Sequence, residues 1–156
     1  MGLRILSVTL LTLTLGLLAA CESGQSMTYN TQPVPILASH EGSDANLAGP
    51  DVYVVNSAEQ LAALGSQDLA GKNIDFSNRS LVIVTLGQRP TAGYAVRITG
   101  VQVGSDTLYV QGVETRPAGD AITAQVITHP YAAVEVPKLP TGLTVQPEIE
   151  EVTSGR

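Results

Sequence analysis

The stretch "LVIVTLGQRPTAGYAVRIT", Leu81 to Thr99, decides the fold. Leu81 to Leu86 offers apolar side chains to both faces of an extended chain. A strand of that kind is buried on both sides, so it predicts a central strand. Tyr94 to Thr99 alternates instead: Tyr94, Val96 and Ile98 fall on one side, Ala95, Arg97 and Thr99 on the other. That is the period of a strand with one face in water. The loop between them is stiffened by its own residues. Arg89 precedes a proline and is pushed toward extended geometry, Pro90 has a fixed φ, and Gly93 tolerates a positive φ before the next strand. A stiff loop has little entropy to lose on binding. Two readings follow, and they are compatible. Tyr94 plugs the end of the core as a structural corner, while Arg89, Pro90, Thr91, Gly93 and Tyr94 form a binding loop with Arg89 to Ala92 turned outward.

Downstream, "TGVQV" extends the alternating strand to Val103, and Gly104-Ser105 reads as a two-residue turn of type II′. "DTLYVQGVE", Asp106 to Glu114, returns, and "TRPAGD" is a loop. "AITAQVITHPYAAVEVPK" predicts two further strands split near His129-Pro130, because Pro130 belongs at a strand start, an edge or a bend. "TGLTVQPEIEEVTSGR" predicts one last strand and then an acidic tail over 148–156. Upstream, "DVYVVN" is a strand. Ser57 with Gln60 fits a capping box, Ala58, Leu61, Ala62 and Leu64 give one apolar helix face, and Gly65 is a stop. Short strands with turn signals every ~8–12 residues predict a mainly β domain over 51–147. The expected architecture is a small antiparallel β-sandwich or partly open barrel with one short N-terminal helix.

The chain begins "MGLRILSVTLLTLTLGLLAAC". Arg4, an uncharged apolar run and small residues before Cys21 have the layout of a signal peptide over 1–20. The run is short for a span of ~20 residues. The small residues lead directly into the only cysteine, an arrangement similar to a bacterial lipobox in which Cys21 is lipidated and becomes the new N-terminus. Several acyl chains, worth ~0.8 kcal/mol per buried CH₂, anchor a protein firmly. The expected location is the bacterial cell envelope. Glu22 rather than Asp after the cysteine favours the outer membrane over the inner. Residues 21–50, rich in Ser, Gly, Asn and Pro, read as a tether in which "VPIL" is a candidate edge strand and His40 a solvated loop histidine.

Composition narrows the function. Without its signal the chain keeps 7 basic against 14 acidic residues, a formal −7, with no basic cluster. That argues against nucleic acid or an anionic lipid surface as partner. With Cys21 carrying lipid, no disulfide forms within the chain. A catalytic triad needs a histidine in the domain, and only His129 is available; no Ser lies in a G-x-S-x-G elbow. Two His and one lipidated Cys do not supply a zinc site. Asp68, Asp75, Asp106, Asp120 and Glu135 read as solvated charges. The expectation is a protein that is not an enzyme and has no cofactor or metal, only a covalent lipid on Cys21. His129 and Tyr131 flank a bend and form a candidate second contact, or else His129 is an imidazole bonded to backbone.

The loop and the closing strand carry a resemblance. "IDFSNRSLVIVTLGQRPTAGYAVRI" followed by "THPYAAVEVPK" resembles the C-terminal domain of the PrcB family, over about Ile74 to Lys138. Gly87, Pro90, Thr91, Gly93 and Tyr94 match that family's G-x-x-P-T-G-G-Y loop, with Ala92 in place of its first Gly. Pro130, Tyr131, Val134, Val136, Pro137 and Lys138 match its closing strand. The resemblance implies a non-catalytic subunit that stabilises a surface protease complex. The same loop is similar to the N-P-T-T-G-Y loop of chagasin-like cysteine peptidase inhibitors, sharing Pro90, Thr91, Gly93 and Tyr94 and departing at Arg89 and Ala92. Two other roles therefore stay open beside protein binding in a protease complex: peptidase inhibition, and a structural envelope lipoprotein with no dedicated protease partner.

Overall fold

The computed structural model describes residues 30–154. The expected signal peptide and Cys21 lie outside the described residues. Along the chain run β1 (Gln32–Pro33), β2 (Ala38–Gly42), β3 (Asp51–Val55), α1 (Ala58–Ala63), α2 (Gln67–Ala70), β4 (Arg79–Thr85), β5 (Ala95–Val103), β6 (Thr107–Arg116), β7 (Tyr131–Pro137) and β8 (Thr144–Thr153). The strands form two four-stranded sheets, ordered β1-β5-β6-β8 and β2-β7-β4-β3. The fold is a β-sandwich and neither sheet closes into a barrel. Every pair is antiparallel except β6 with β8, which are parallel because β7 in the other sheet intervenes along the chain.

The doubly apolar run explains the layering. In β4, Val82 and Val84, with Leu86 just beyond, face the other sheet and pack with Val96, Val110 and Val134. Leu81 and Ile83 face the opposite way, onto Leu61, Leu69 and Tyr131. The two short helices thus cover the outer face of the β4 sheet, and β4 is buried on both sides. Ser57 Oγ accepts the Gln60 N–H at 3.2 Å, and Gln60 Oε1 accepts the Asn56 N–H at 2.7 Å, so the expected capping pair forms one residue wider than its simplest version. Gly65 ends the helix with φ +73°. In β5 a bulge between Ile98 and Gly100 shifts the alternation by one residue. Val96, Ile98 and then Val101 therefore all reach the core.

Several expectations are corrected. The tether does not extend to residue 50. β1 and β2 pair with β5 and β7, and Ala45 and Leu47 are buried, so the chain joins the fold at Gln32. "VPIL" is the crossing between the two sheets rather than a strand, tied by Val34 N–H to Val101 C=O and Leu37 N–H to Glu135 C=O, each at 2.8 Å. The acidic tail is strand through Thr153, because pairing with β6 satisfies its backbone. Only one strand follows residue 121 before β8; residues 121–127 are irregular. Gly104 has no positive φ, and its N–H donates to Thr107 C=O at 2.8 Å across a three-residue connection. No helix among the described residues is long and apolar enough to cross a membrane.

Candidate functional site

The loop after β4 is held at both ends. Gly87 takes φ +68°, and a side chain there would collide with the Gly49 backbone. Gly93 takes φ +94°, as its position before a strand requires. Between them the backbone zips to residues 124–128. Arg89 N–H donates to Thr128 C=O at 2.8 Å, and Thr128 N–H returns to Arg89 C=O at 3.0 Å. Ala92 N–H donates to Ala124 C=O at 3.0 Å, and Thr128 Oγ1 donates to Thr91 C=O at 3.2 Å.

The Arg89 side chain turns inward, against the outward expectation. Its Nη2 donates to Glu114 Oε1 at 3.2 Å, and its guanidinium lies 5.5 Å from the Tyr94 ring centroid. Tyr94 packs against the core. Glu114 is 5 % exposed, and its Oε1 also accepts from Arg116 Nε at 2.9 Å. A carboxylate so buried is costly unless paired, which is why the loop arginine folds back onto it. Arg89 and Tyr94 are therefore the corner, while Pro90 stays exposed and Thr91 half-buried. Arg89 Nε is buried with no acceptor among the described residues.

His129 is half-buried at the start of the closing strand. Its backbone N–H donates to Ser43 C=O at 2.7 Å, and its Nδ1 lies 3.9 Å from Asp44 Oδ1. Tyr131 is 1 % exposed and donates its hydroxyl to Asp68, so it is a core residue and not a second contact for a partner. Burial first, then the Asp68 hydrogen bond and charge, push its phenol well above the ordinary value. Two carboxylates read as solvated are engaged: Asp68 by that bond, and Glu135 between His40 Nε2 at 2.9 Å and Arg79 Nη1 at 2.6 Å. His40 accordingly sits on β2, not in a tether. Burial drives the Glu135 carboxyl up, and the bonds and charges of His40 and Arg79 outweigh it, leaving a net lowered pKa.

Two features escaped the reading of the sequence. The first is the segment zipped to the loop: Ile122 is 104 % exposed, Val126 50 % and Ile127 59 %. "AITAQVIT" reads as a strand because its apolar residues suit one, yet among the described residues its pairing amounts to one isolated bridge, Thr128 with Arg89. The second is a cleft of about 480 Å³ where β3 and β8 face each other across the open side of the sandwich. Its walls include Val52, Val84, Leu86, Val145 and Ile149, and its charged end holds Asp51, Arg89, Glu114, Arg116 and Glu151. Among the described residues no group of three or more His, Cys, Asp or Glu is placed to hold a metal ion.

No curated protein and no solved structure matches the chain. The family model described as PrcB C-terminal matches residues 80–137, from β4 through the loop to the last residue of β7, so that segment is similar to the PrcB C-terminal family.

Proposed function

We propose that this protein is a non-catalytic lipoprotein of the bacterial envelope that binds a protein partner through the loops at one end of its sandwich, within a protease complex. The PrcB C-terminal family is a non-catalytic, stability-type subunit domain, which supports a protease-associated role in general. The anchor is inferred from "LLAAC" and the unique Cys21. One observation carries the binding reading: Ile122, Val126 and Ile127 are exposed on a segment whose backbone is fixed to the R-P-T-A loop. Apolar side chains held out on an ordered loop gain area on docking without a large ordering cost. His129 and Thr91 lie beside this tip, and Pro90 is on its rim.

The test is capture from solubilised membranes with the full chain as bait. Ile122→Ser combined with Ile127→Ser is expected to abolish capture of the protein held by wild type, with the melting temperature unchanged. Retention of that protein by the double variant removes the tip as the binding surface. In the same cells, Cys21→Ala is expected to abolish lipid labelling; an unlipidated mature wild-type N-terminus by mass spectrometry removes the anchor.

A further inference from the structure

The sandwich is open along one side, where β3 and β8 are both edge strands. The cleft between them falls in the size range of ligand sites. β8 lines it with every second residue, Val145, Pro147, Ile149 and Glu151, a run of about 20 Å at ~3.3 Å per residue. That length takes about six residues of extended chain. The floor is apolar, and at the charged end three carboxylates meet two guanidiniums. Glu114 binds both Arg89 and Arg116, and Glu151 binds Arg116. Asp51 pairs with no basic side chain among the described residues; its Oδ1 accepts only the Val52 N–H, at 2.7 Å.

We propose that this cleft binds an extended peptide segment of a partner protein in which apolar side chains alternate with lysine or arginine. Each part of the site has a counterpart in such a segment. Its apolar side chains, all on one face of an extended chain, seat on Val52, Val84 and Ile149. Its basic side chains meet Asp51 and Glu151 at the rim. Its backbone pairs with a free strand edge, the usual mode of strand addition. A second copy of this chain does not suit the site. β8 carries Glu148, Glu150 and Glu151, so copy against copy would set carboxylate against carboxylate. Both rims of the cleft, β3 and β8, lie outside the segment that matches the family.

The experiment titrates the full chain, in detergent, with labelled acetyl-Lys-Val-Lys-Val-Lys-Val-Lys-amide and with the same peptide carrying Glu for Lys. The Lys peptide is expected to bind at least about tenfold more tightly, with affinity falling as salt rises. Asp51→Asn with Glu151→Gln is expected to weaken it by about tenfold, whereas Ile122→Ser with Ile127→Ser leaves it unchanged. Capture retained by that double variant, with peptide binding intact, would therefore count against the docking tip alone. On unmodified protein, the amide resonances of Val52, Val54 and Ile149 are expected to move on peptide addition, a readout that no folding defect of a variant affects. Equal binding of the two peptides, no saturable binding, or shifts confined to other strands would each overturn the proposal.

Discussion

Arg89 shows how one side chain settles which half of a loop is structural. It sits between Pro90 and a buried carboxylate, and Glu114 Oε1 is its acceptor at 3.2 Å. Arg89→Ala leaves that carboxylate with Arg116 alone and opens space over the Tyr94 ring. The expected cost is about 1–3 kcal/mol of stability, as for a buried polar group that loses a partner. Thr91→Ala removes only a half-exposed hydroxyl and should leave the denaturation midpoint in place. Equal midpoints for the two variants would contradict the inward role of Arg89. Glu135 gives a prediction with a definite sign. Its folded pKa lies below its ordinary value, so it contributes stability that is complete above the ordinary carboxylate range, ~4.3, and is lost as pH falls through the lowered value. Glu135→Gln should flatten that acid limb in chemical denaturation at stepped pH; an unchanged limb rules Glu135 out as its source. Neither pairing was legible in the sequence. Glu114 and Glu135 stand in alternating strands as surface charges do, and their partners lie 25 and 56 residues away. The turn chemistry was legible at Gly65 and Gly93, which announce a backbone conformation rather than a contact, but not at Gly104, where the expected positive φ is absent.

The strands divide in the same way. β4 and β5 could be read directly, since apolar period and loop punctuation are local properties, and the helix after Ser57 carried its own cap. β8 was half-read. Pro147 and three glutamates in ten residues look like a fraying tail, and only the parallel partner β6 makes them a strand with Ile149 inward and Glu148 and Glu150 outward. β2 was missed for a similar reason: "ASHEG" has no apolar period, and Gly42 is there to make room for the Tyr131 ring. Chains cut at different points should show which of these elements the fold needs. A chain beginning at Asn30 keeps every described strand and should unfold cooperatively. One beginning at Asp51 loses β2 together with the buried Ala45 and Leu47, and should show lower stability or no cooperative transition. Ending the chain after Pro147 removes Ile149 and half of β8, and should also lower the midpoint. Full stability in either shortened chain would return that segment to the status of tether or tail.

At the scale of the whole molecule the proposed anchor and the proposed binding tip fall at opposite ends of the sandwich. The described chain enters beside Val103, through the pairing of Gln32 with Val103, while the loop with Pro90 and its zipped neighbour lie before Ala95, at the other end of β5. Nine residues of strand separate the ends by about 27 Å. A chain anchored through Cys21 is thus attached at the end opposite the exposed Ile122, Val126 and Ile127. With the proposed anchor at that end, the tip would be free to meet a protein, and an acidic molecule held that way would have little reason to press its tip into a lipid surface. Site-specific blocking tests this polarity. Cys21 is the only cysteine, so once it carries lipid a second cysteine is the sole free thiol. Gly119 lies in the tip loop, where a Cβ meets nothing within 4 Å, and Ser105 is exposed in the turn at the anchored end. Gly119→Cys and Ser105→Cys should therefore fold as wild type and take a maleimide-linked bulky tag. The tag at 119 is expected to abolish partner capture and the tag at 105 to leave it intact. Block at 105 with capture preserved at 119 would place the partner at the end where the described chain enters and reverse that orientation.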